Sequence, residues 1–368
     1  MKILIVAGDP GGANFILPAV SKLLENNMLN CYFFAYAEAA KIFLSLENYD
    51  IKKNHFFENK GEIESFLRDE SIDLVFTATS VNDFKWEIKC VDVAKKLGIT
   101  SISCIDFWNN YDLRFKVEHA SQLTAPSIIT VIDDKMMAQV KALPFSNSKI
   151  VNIGSPAYEF LAKKYTFKRE QDHSQTAHKT WKIMFVSQHV SNYFRNQKDD
   201  ENFLGYTENT VLRDIFEASK QLADSKNIQV EIKVLRHTKR LDELDLDSIR
   251  LPVNVSISVL SNDERYNMLS ETDLVIGMYS NFLIEASMLG AKVCLYQPER
   301  NYWHYSESPL SDLKLIIDRE EFQSANLFYQ RLEDLSYVTF NRSHLNGSVD
   351  RLVNLVLGAV KEGVNLTM

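Results

Sequence analysis

Several polar stretches of this chain carry the residue types that bind and activate a phosphorylated ligand. The first reads Gly8-Asp9-Pro10-Gly11-Gly12-Ala13-Asn14 and sets one carboxylate among glycines. Asp9 there suits a general base that takes a proton from an attacking hydroxyl. It would equally cap the following turn or accept from loop amides. Gly11 and Gly12 allow a ligand or a facing domain to come close, and Asn14 adds a polar side chain to the same loop. The second stretch is Asp106-Phe107-Trp108-Asn109-Asn110-Tyr111 with Arg114 behind it. Asp106 is a competing carboxylate, and Trp108 and Tyr111 with Phe115 could form an aromatic wall for a sugar ring. Such aromatics also serve as core or domain-interface packing. Arg114 would pair with Asp106 or with a ligand anion. Further on, Gln188-His189 and Arg236-His237-Thr238-Lys239-Arg240 each follow an apolar run. Arg236, His237 and Lys239 have the donors and charge that suit a pyrophosphate, or else form a basic surface loop.

The richest stretch is Asp273–Gln297, DLVIGMYSNFLIEASMLGAKVCLYQ. An apolar run reaches Gly277, a polar turn of Tyr279, Ser280 and Asn281 follows, and then a helix stopped by Gly290 and a second apolar run. This is the strand–turn–helix–strand unit of a parallel α/β sheet. Gly277 permits close backbone approach, and Ser280 or Asn281 would cap the helix. The N–H groups and positive dipole end of such a helix favour an anion. Glu285 lies about one turn in, within reach of a sugar hydroxyl.

The elements needed to position these residues recur along the chain. Lys2–Ala7 is a near-continuous apolar run, as in a strand buried on both faces, and a helix is expected from about Phe15 to Leu24 with Pro18 in its first turn. The glycine loop between them lacks the GxGxxG spacing and the Gly-Lys-Ser/Thr ending of a Walker loop. Strands are expected at 31–36, 72–78, 100–105, 128–131 and 149–153, with helices at 37–46, 63–69 and 86–97. The alternation predicts a doubly wound domain over residues 1–160. Residues 161–180, with His173 and His178, read as a linker. The pattern restarts over 181–345: strands at 181–187, 228–235, 253–259, 274–276, 293–296 and 313–317, helices at 209–224, 263–270, 282–289 and 320–335. A last helix at 348–360, within the segment 346–368, is expected to turn back toward the first domain. In open α/β sheets the polar strand ends face the binding crevice.

Composition narrows the function. With 368 residues, two domains are expected, and 45% apolar content fills a globular interior. The formal charge is −8 without a long basic run, which argues against a nucleic-acid surface or a polybasic anchor. Cys31, Cys90, Cys104 and Cys294 are scattered without a CxxC, so buried, reduced thiols in a cytoplasmic protein are expected and a metal site is not. No run has membrane-spanning length, and MKILIVAGDP is too short an apolar run for a signal peptide. Peripheral membrane contact stays open, and the oligomeric state is not legible.

GDPGGANFILPAV resembles the N-terminal glycine loop of the GT-B nucleotide-sugar glycosyltransferases. DLVIGMYSNFLIEASMLGAKVCLYQP resembles their donor site, IVNIGSPAYEFL the end of their first domain, and FVSQHVSN and VLRHTKR the first two strand ends of the donor domain. The resemblance implies two Rossmann-like domains facing across a cleft. It implies a metal-independent transferase, without a cofactor, that moves a sugar from a nucleotide sugar to a glycan or lipid-linked acceptor in bacterial surface-polysaccharide synthesis. The polar turn would hold the donor phosphates, Glu285 the ribose, and His237 the charge on the leaving nucleotide. Members with a GGTGGH-like loop have a His where Ala13-Asn14 stands, which leaves Asp9 as the base. Gly277 stands where many retaining members carry a second acid, so inversion is expected. The related non-hydrolysing UDP-N-acetylglucosamine 2-epimerases have a GHRREN-like segment; Gln188-His189-Val190-Ser191-Asn192 keeps its His and loses its arginines. An epimerase or hydrolase of the nucleotide sugar, or a non-catalytic nucleotide-sugar-binding protein, are the alternatives.

Overall fold

Lys2–Ala7 forms β1, and from Ile3 onward every residue of it is buried. In the computed structural model, residues 1–117, 122–145, 147–165, 180–235, 251–261, 264–298, 316–317, 324 and 346–366 are described. The chain divides into two compact units, Met1–Lys163 with Arg342–Met368, and Lys164–Asn341.

In the first unit β1 is followed by α1 (Pro10–Leu24), β2 (Asn30–Ala35), α2 (Ala37–Phe43), α3 (Lys60–Asp69), β3 (Leu74–Thr77) and α4 (Trp86–Leu97). Then come β4 (Thr100–Cys104), α5 (Tyr111–Arg114), β5 (Ile128–Val131), α6 (Asp134–Lys141), β6 (Lys149–Asn152) and α7 (Pro156–Lys164). The strands form one parallel sheet in the order β2-β1-β3-β4-β5-β6. Val6 pairs with Phe34 on one side and Thr77 on the other. With helices on both faces such strands meet no solvent, and each fully buried Val, Ile or Leu side chain contributes about 1.5–3 kcal/mol.

The second unit holds β7 (Thr180–Val186), α8 (Val190–Lys198), α9 (Glu208–Lys226), β8 (Gln229–Leu235), β9 (Val255–Leu260) and α10 (Arg265–Leu269). β10 (Leu274–Gly277), α11 (Asn281–Met288), β11 (Val293–Tyr296) and β12 (Ile316–Ile317) follow. This sheet is also parallel, in the order β12-β11-β10-β7-β8-β9. Its core packs Ile183 and Phe185 of β7 against Leu212, Ile215 and Leu222 of α9.

Local signals explain the helix limits. Asn59 caps α3 by accepting from the Glu62 N–H at 3.1 Å, while Glu62 accepts from the Glu58 N–H at 2.9 Å, a reciprocal cap. Gly98, in a left-handed conformation (φ 72°), ends α4. The expected start of α1 is corrected: the helix begins at Pro10, not near Phe15, so Gly11 and Gly12 lie in its first turn and Pro18 in its interior. Pro10 has its ring torsion already set for the first helical position, and Asp9 before it is extended (φ −79°, ψ 143°). Helix α6 lies between two expected strands, helices α7 and α8 are additional, and the 320–335 helix lies outside the described residues. All four cysteines are free and buried. Burial pushes the Cys31 thiol up to about 11 and the Cys104 thiol up to about 12.

The helix α12 (Ser348–Leu366) packs on α1, β3 and β4 of the first unit. Its start is held by Glu159 of α7. Glu159 Oε1 accepts from the Gly347 N–H at 3.1 Å and Lys163 Nζ at 2.6 Å, and Oε2 accepts from the Val349 N–H at 2.8 Å. A buried carboxylate here satisfies donors that the helix itself leaves open. Burial pushes the Glu159 carboxyl up, but these donors outweigh it and hold it below its ordinary value. A depressed carboxyl contributes stability that is complete above the unfolded value of about 4.3 and is lost as pH falls through the folded one. Glu159→Gln is therefore expected to lower stability by about 1–2 kcal/mol at about pH 7, with a smaller deficit near pH 3.5. Urea unfolding at both pH values measures this; equal stability at neutral pH would remove the tether.

Candidate functional site

Each sheet reverses its order beside its first strand. In the first unit the chain leaves β1 for β2 and returns to β3 on the other side; in the second it leaves β7 for β8 and β9 and returns to β10. Side chains and amides beyond the carboxyl ends of the two flanking strands gather at such a reversal.

In the first unit these ends are Gly8-Asp9 after β1 and Ala78-Thr79-Ser80 after β3. The organising group is Glu87, in the first turn of α4 and 3% exposed. Its Oε1 accepts from the Gly8 N–H at 2.9 Å. Its Oε2 accepts from the Tyr36 hydroxyl at 2.5 Å and from Ser80 Oγ at 2.8 Å. Burial pushes the Glu87 carboxyl above its ordinary value, these hydroxyls pull it back, and the nearby charge of Asp9 pushes it up again. Asn82 Nδ2 donates to Asp9 Oδ1 at 2.8 Å and to the Tyr36 hydroxyl at 3.3 Å. Asp9 makes no side-chain cap on α1.

The glycines of this turn answer to the protein's own atoms. A Cβ on Gly8 would lie 2.1 Å from Tyr36 Cζ, one on Gly11 2.7 Å from Asp106 Oδ2, and one on Gly12 2.9 Å from the Thr79 carbonyl oxygen. Gly12 is buried, and Ala78 and Thr79 of the same unit take the space beside it; Gly11 is exposed and meets only the Asp106 carboxylate. Asn14 is exposed and donates from Nδ2 to the Pro10 carbonyl of its own helix at 2.8 Å.

The second stretch is also largely internal. Arg114 is 7% exposed; its NH1 donates to Asp106 Oδ1 at 2.6 Å and Thr79 Oγ1 at 2.9 Å, and its Nε to the Asn109 carbonyl at 3.1 Å. Of its two expected partners it has taken Asp106. Trp108 is 1% exposed, stacks on Tyr158 and donates to Asp133 Oδ2 at 2.6 Å. Tyr111 is buried and donates to Gln139 Oε1 at 2.8 Å. The residues expected to form an aromatic wall, Trp108 and Tyr111, are buried packing: Trp108 stacks on α7, and both side chains donate to α6 or its cap.

In the second unit Gly277 pairs with Val186 and Leu235 with Val186, so β7 lies between the ends of β8 and β10. Gln188-His189 and Tyr279-Ser280 therefore leave adjoining strand ends, and Gln188 Oε1 accepts from the Tyr279 N–H at 3.0 Å. His189 caps α8 by position, and Ser280 Oγ caps α11 through the Phe282 N–H at 3.3 Å. Asn281 opens α11. Glu285, one turn further, accepts from the Tyr266 hydroxyl at 2.7 Å, and burial pushes its carboxyl up against the pull of Arg265 and Tyr266. A Cβ on Gly277 would lie 3.0 Å from Leu283 Cδ2 and 3.2 Å from Val186 Cβ. This glycine therefore serves the packing of α11 on β10. The roles expected of Arg236, His237 and Lys239 lie outside the described residues.

Four polar residues of these ends were not singled out from sequence: Tyr36, Asn82, Glu87 and Gln297. Gln297 follows β11, is 1% exposed and donates from Nε2 to the Met278 carbonyl at 2.9 Å. Its Oε1 accepts from no side chain or amide. A glutamate in a first helical turn reads as a solvated partner of the helix dipole, so Glu87 carries no local sign of burial. Among the described residues no group of three or more His, Cys, Asp or Glu side chains could hold a metal ion, and no helix is long and apolar enough to cross a membrane.

No protein-family profile matches the chain, and neither does any curated protein. Solved structures do. A Listeria monocytogenes protein described as a UDP-N-acetylglucosamine 2-epimerase superposes with a TM-score of 0.65 at 15% identity, over 98% of this chain and 97% of that one. The UDP-GlcNAc 2-epimerase of Neisseria meningitidis bound to UDP-GlcNAc gives 0.61 at 14% identity, over 97% and 100%. Acinetobacter baumannii MurG gives 0.57 at 13% identity, over 97% and 99%. At such identities the likeness is one of fold: the chain has the α/β, two-sheet GT-B architecture of these nucleotide-sugar proteins.

The network around Glu87 makes a prediction of its own. Because the folded carboxyl lies above its unfolded value of about 4.3, the stability it allows falls as pH rises from there through the folded value. Glu87→Gln should gain on the wild type in urea unfolding between about pH 5 and about pH 7. Glu87→Ala, which strands the Gly8 N–H and two hydroxyls, should cost about 2–4 kcal/mol. Wild type and Glu87→Gln running parallel across that range would refute the assignment.

Proposed function

We propose that the chain is a metal-independent glycosyltransferase that passes a sugar from a nucleotide-sugar donor to a glycan or lipid-linked acceptor, with inversion. The observation that carries this reading is the register of β7 against β10. It sets Gln188-His189 and Tyr279-Ser280 at adjoining strand ends, each ahead of a helix, with Glu285 one turn into α11. That is the arrangement an α/β sheet offers to a phosphorylated ligand. The first-turn amides of α11 and the sequence-assigned His237 would hold the donor phosphates and stabilise charge building on the leaving nucleotide. Glu285 would meet the ribose. In the first unit Asp9 is the candidate base: one oxygen is fixed by Asn82, and the other is left for the proton of an acceptor hydroxyl. A single in-line displacement needs no second carboxylate, which fits Gly277 in place of an acid. The setting we propose is cytoplasmic synthesis of a bacterial surface polysaccharide, with peripheral contact to the membrane where a lipid-linked acceptor resides.

A second reading, epimerisation of the nucleotide sugar itself, is favoured by the likeness to the Neisseria meningitidis epimerase. It uses the same donor site and no acceptor. Incubation of a bound nucleotide sugar alone separates the two, because an epimerase or hydrolase converts it and a transferase leaves it intact.

Titration calorimetry with UDP, GDP, CMP and dTDP is expected to show binding of one of them; no binding by any would remove the donor-site assignment. Asp9→Asn should keep nucleotide affinity within about twofold and lower turnover by about a hundredfold or more, the usual weight of a general base. Unchanged turnover would clear Asp9 of that role.

A further inference from the structure

Asn82 stands between the buried carboxylate of the first unit and the candidate base, and its side-chain amide has only one orientation that satisfies its neighbours. Asn82 Oδ1 accepts from the Phe84 N–H at 3.1 Å and from the Lys85 N–H at 3.1 Å. Two donors on that atom require it to be the oxygen, so the NH2 group must face the other way. There it meets Asp9 Oδ1 and the Tyr36 hydroxyl. Tyr36 gives its own proton to Glu87, so it has a lone pair for Asn82. Lys85 follows the turn in a left-handed conformation (φ 55°), which a lysine adopts only when its surroundings impose it. Its Nζ is tied to the Leu113 carbonyl at 2.7 Å.

We propose that Asn82 is a positioning residue for Asp9: the 82–85 turn locks its amide, and the amide fixes one carboxylate oxygen so that the other is presented in a single direction. This rests on the reading of Asp9 as the base of the proposed transfer. The carboxylate is held twice from one buried group. Glu87 anchors the backbone before it through the Gly8 N–H, and anchors its side chain through Tyr36 and Asn82. A base that must meet an acceptor hydroxyl within hydrogen-bond reach loses rate steeply when its direction is free. Among the described residues the charged and titratable groups near Asp9 and the turn that holds it include Glu87, Lys85, Tyr36 and Asp83, with the Asp106–Arg114 pair beyond Gly11.

Asn82→Asp separates positioning from mere support of the turn. An aspartate still accepts from the Phe84 and Lys85 amides, but it offers Asp9 no donor and adds a like charge. The first readout needs no substrate. In full-length protein labelled with 15N-asparagine, the Asn82 side-chain amide signals, assigned by their loss in Asn82→Asp, should move with pH between about 3.5 and about 7, where carboxylates titrate. They should stop moving in Asp9→Asn. Signals that stay still in the wild type, or that titrate unchanged in Asp9→Asn, would overturn the proposal. The second readout uses the nucleotide sugar that calorimetry selects. Asn82→Asp should lower kcat by about tenfold, leave the donor KM within about twofold, and shift the acid side of the pH–rate profile upward. An amide that titrates with Asp9, beside an Asp9→Asn variant of full activity, would uphold the positioning while removing the base role. The melting temperature of Asn82→Asp is expected to stay within a few degrees of the wild type, and a wild-type pH profile in that variant would contradict the proposal.

Discussion

The structure depends on where each parallel sheet reverses its direction. A strand buried on both faces has no room for chemistry along its length, so polar groups are confined to its ends. At a reversal two such ends lie side by side with no crossover helix covering them. The first unit places Gly8-Asp9 and Thr79-Ser80 at its reversal, and the second places Gln188-His189 and Tyr279-Ser280 at its own. The two reversals are furnished differently. The first is acidic and held by side-chain hydrogen bonds around a buried carboxylate. The second is built from backbone amides and neutral side chains ahead of two helices. In the function proposed above, the first would supply the base and the second the donors for phosphate.

Glu87 makes the first reversal rigid. A buried carboxylate without partners is costly, and this one meets an amide and two hydroxyls, so its desolvation is partly offset by bonds that also fix their donors. The same logic recurs at Glu208, whose carboxylate receives both the amide and the hydroxyl of Ser191 at the start of α8. It recurs again at Glu159 beneath the C-terminal helix. In each case an acid inside the protein occupies the donors at a helix start or a turn. The tip of α11 differs: its Phe282 N–H is taken by a neutral serine, and the Tyr279 N–H just before it by a glutamine.

Much of the architecture was legible in the sequence. The buried runs at Lys2–Ala7 and Leu274–Gly277 have no period-two alternation, which marks strands covered on both faces, and α4 ends on the glycine that its pattern calls for. The α/β class and two-sheet organisation follow from that alternation. The start of α1 differs from expectation because glycines suggest a loop, whereas Pro10 occupies the first helical position and both glycines lie in the first turn. Helix α8 escaped notice because only Val190 and Phe194 of its nine residues are buried, too few to establish a period. The candidate site was less legible than the fold. Trp108, Tyr111 and Arg114 have the composition of a sugar-binding surface, yet they are packing and ion-pair groups, a distinction set by tertiary burial and not by type. Asn82 and Glu87 lay hidden for the converse reason. Their importance comes from contacts across as many as 79 positions of sequence, as between Gly8 and Glu87.

The central claim is that the second unit holds an activated sugar's nucleotide at the ends of β7 and β10. A crystal soaked with a mixture of UDP, GDP, CMP and dTDP tests it most directly. The account predicts one nucleotide retained, with its phosphates within hydrogen-bonding distance of the Ser280–Asn281 amides and its ribose at Glu285. A nucleotide bound elsewhere on the chain, with those amides untouched, would contradict it.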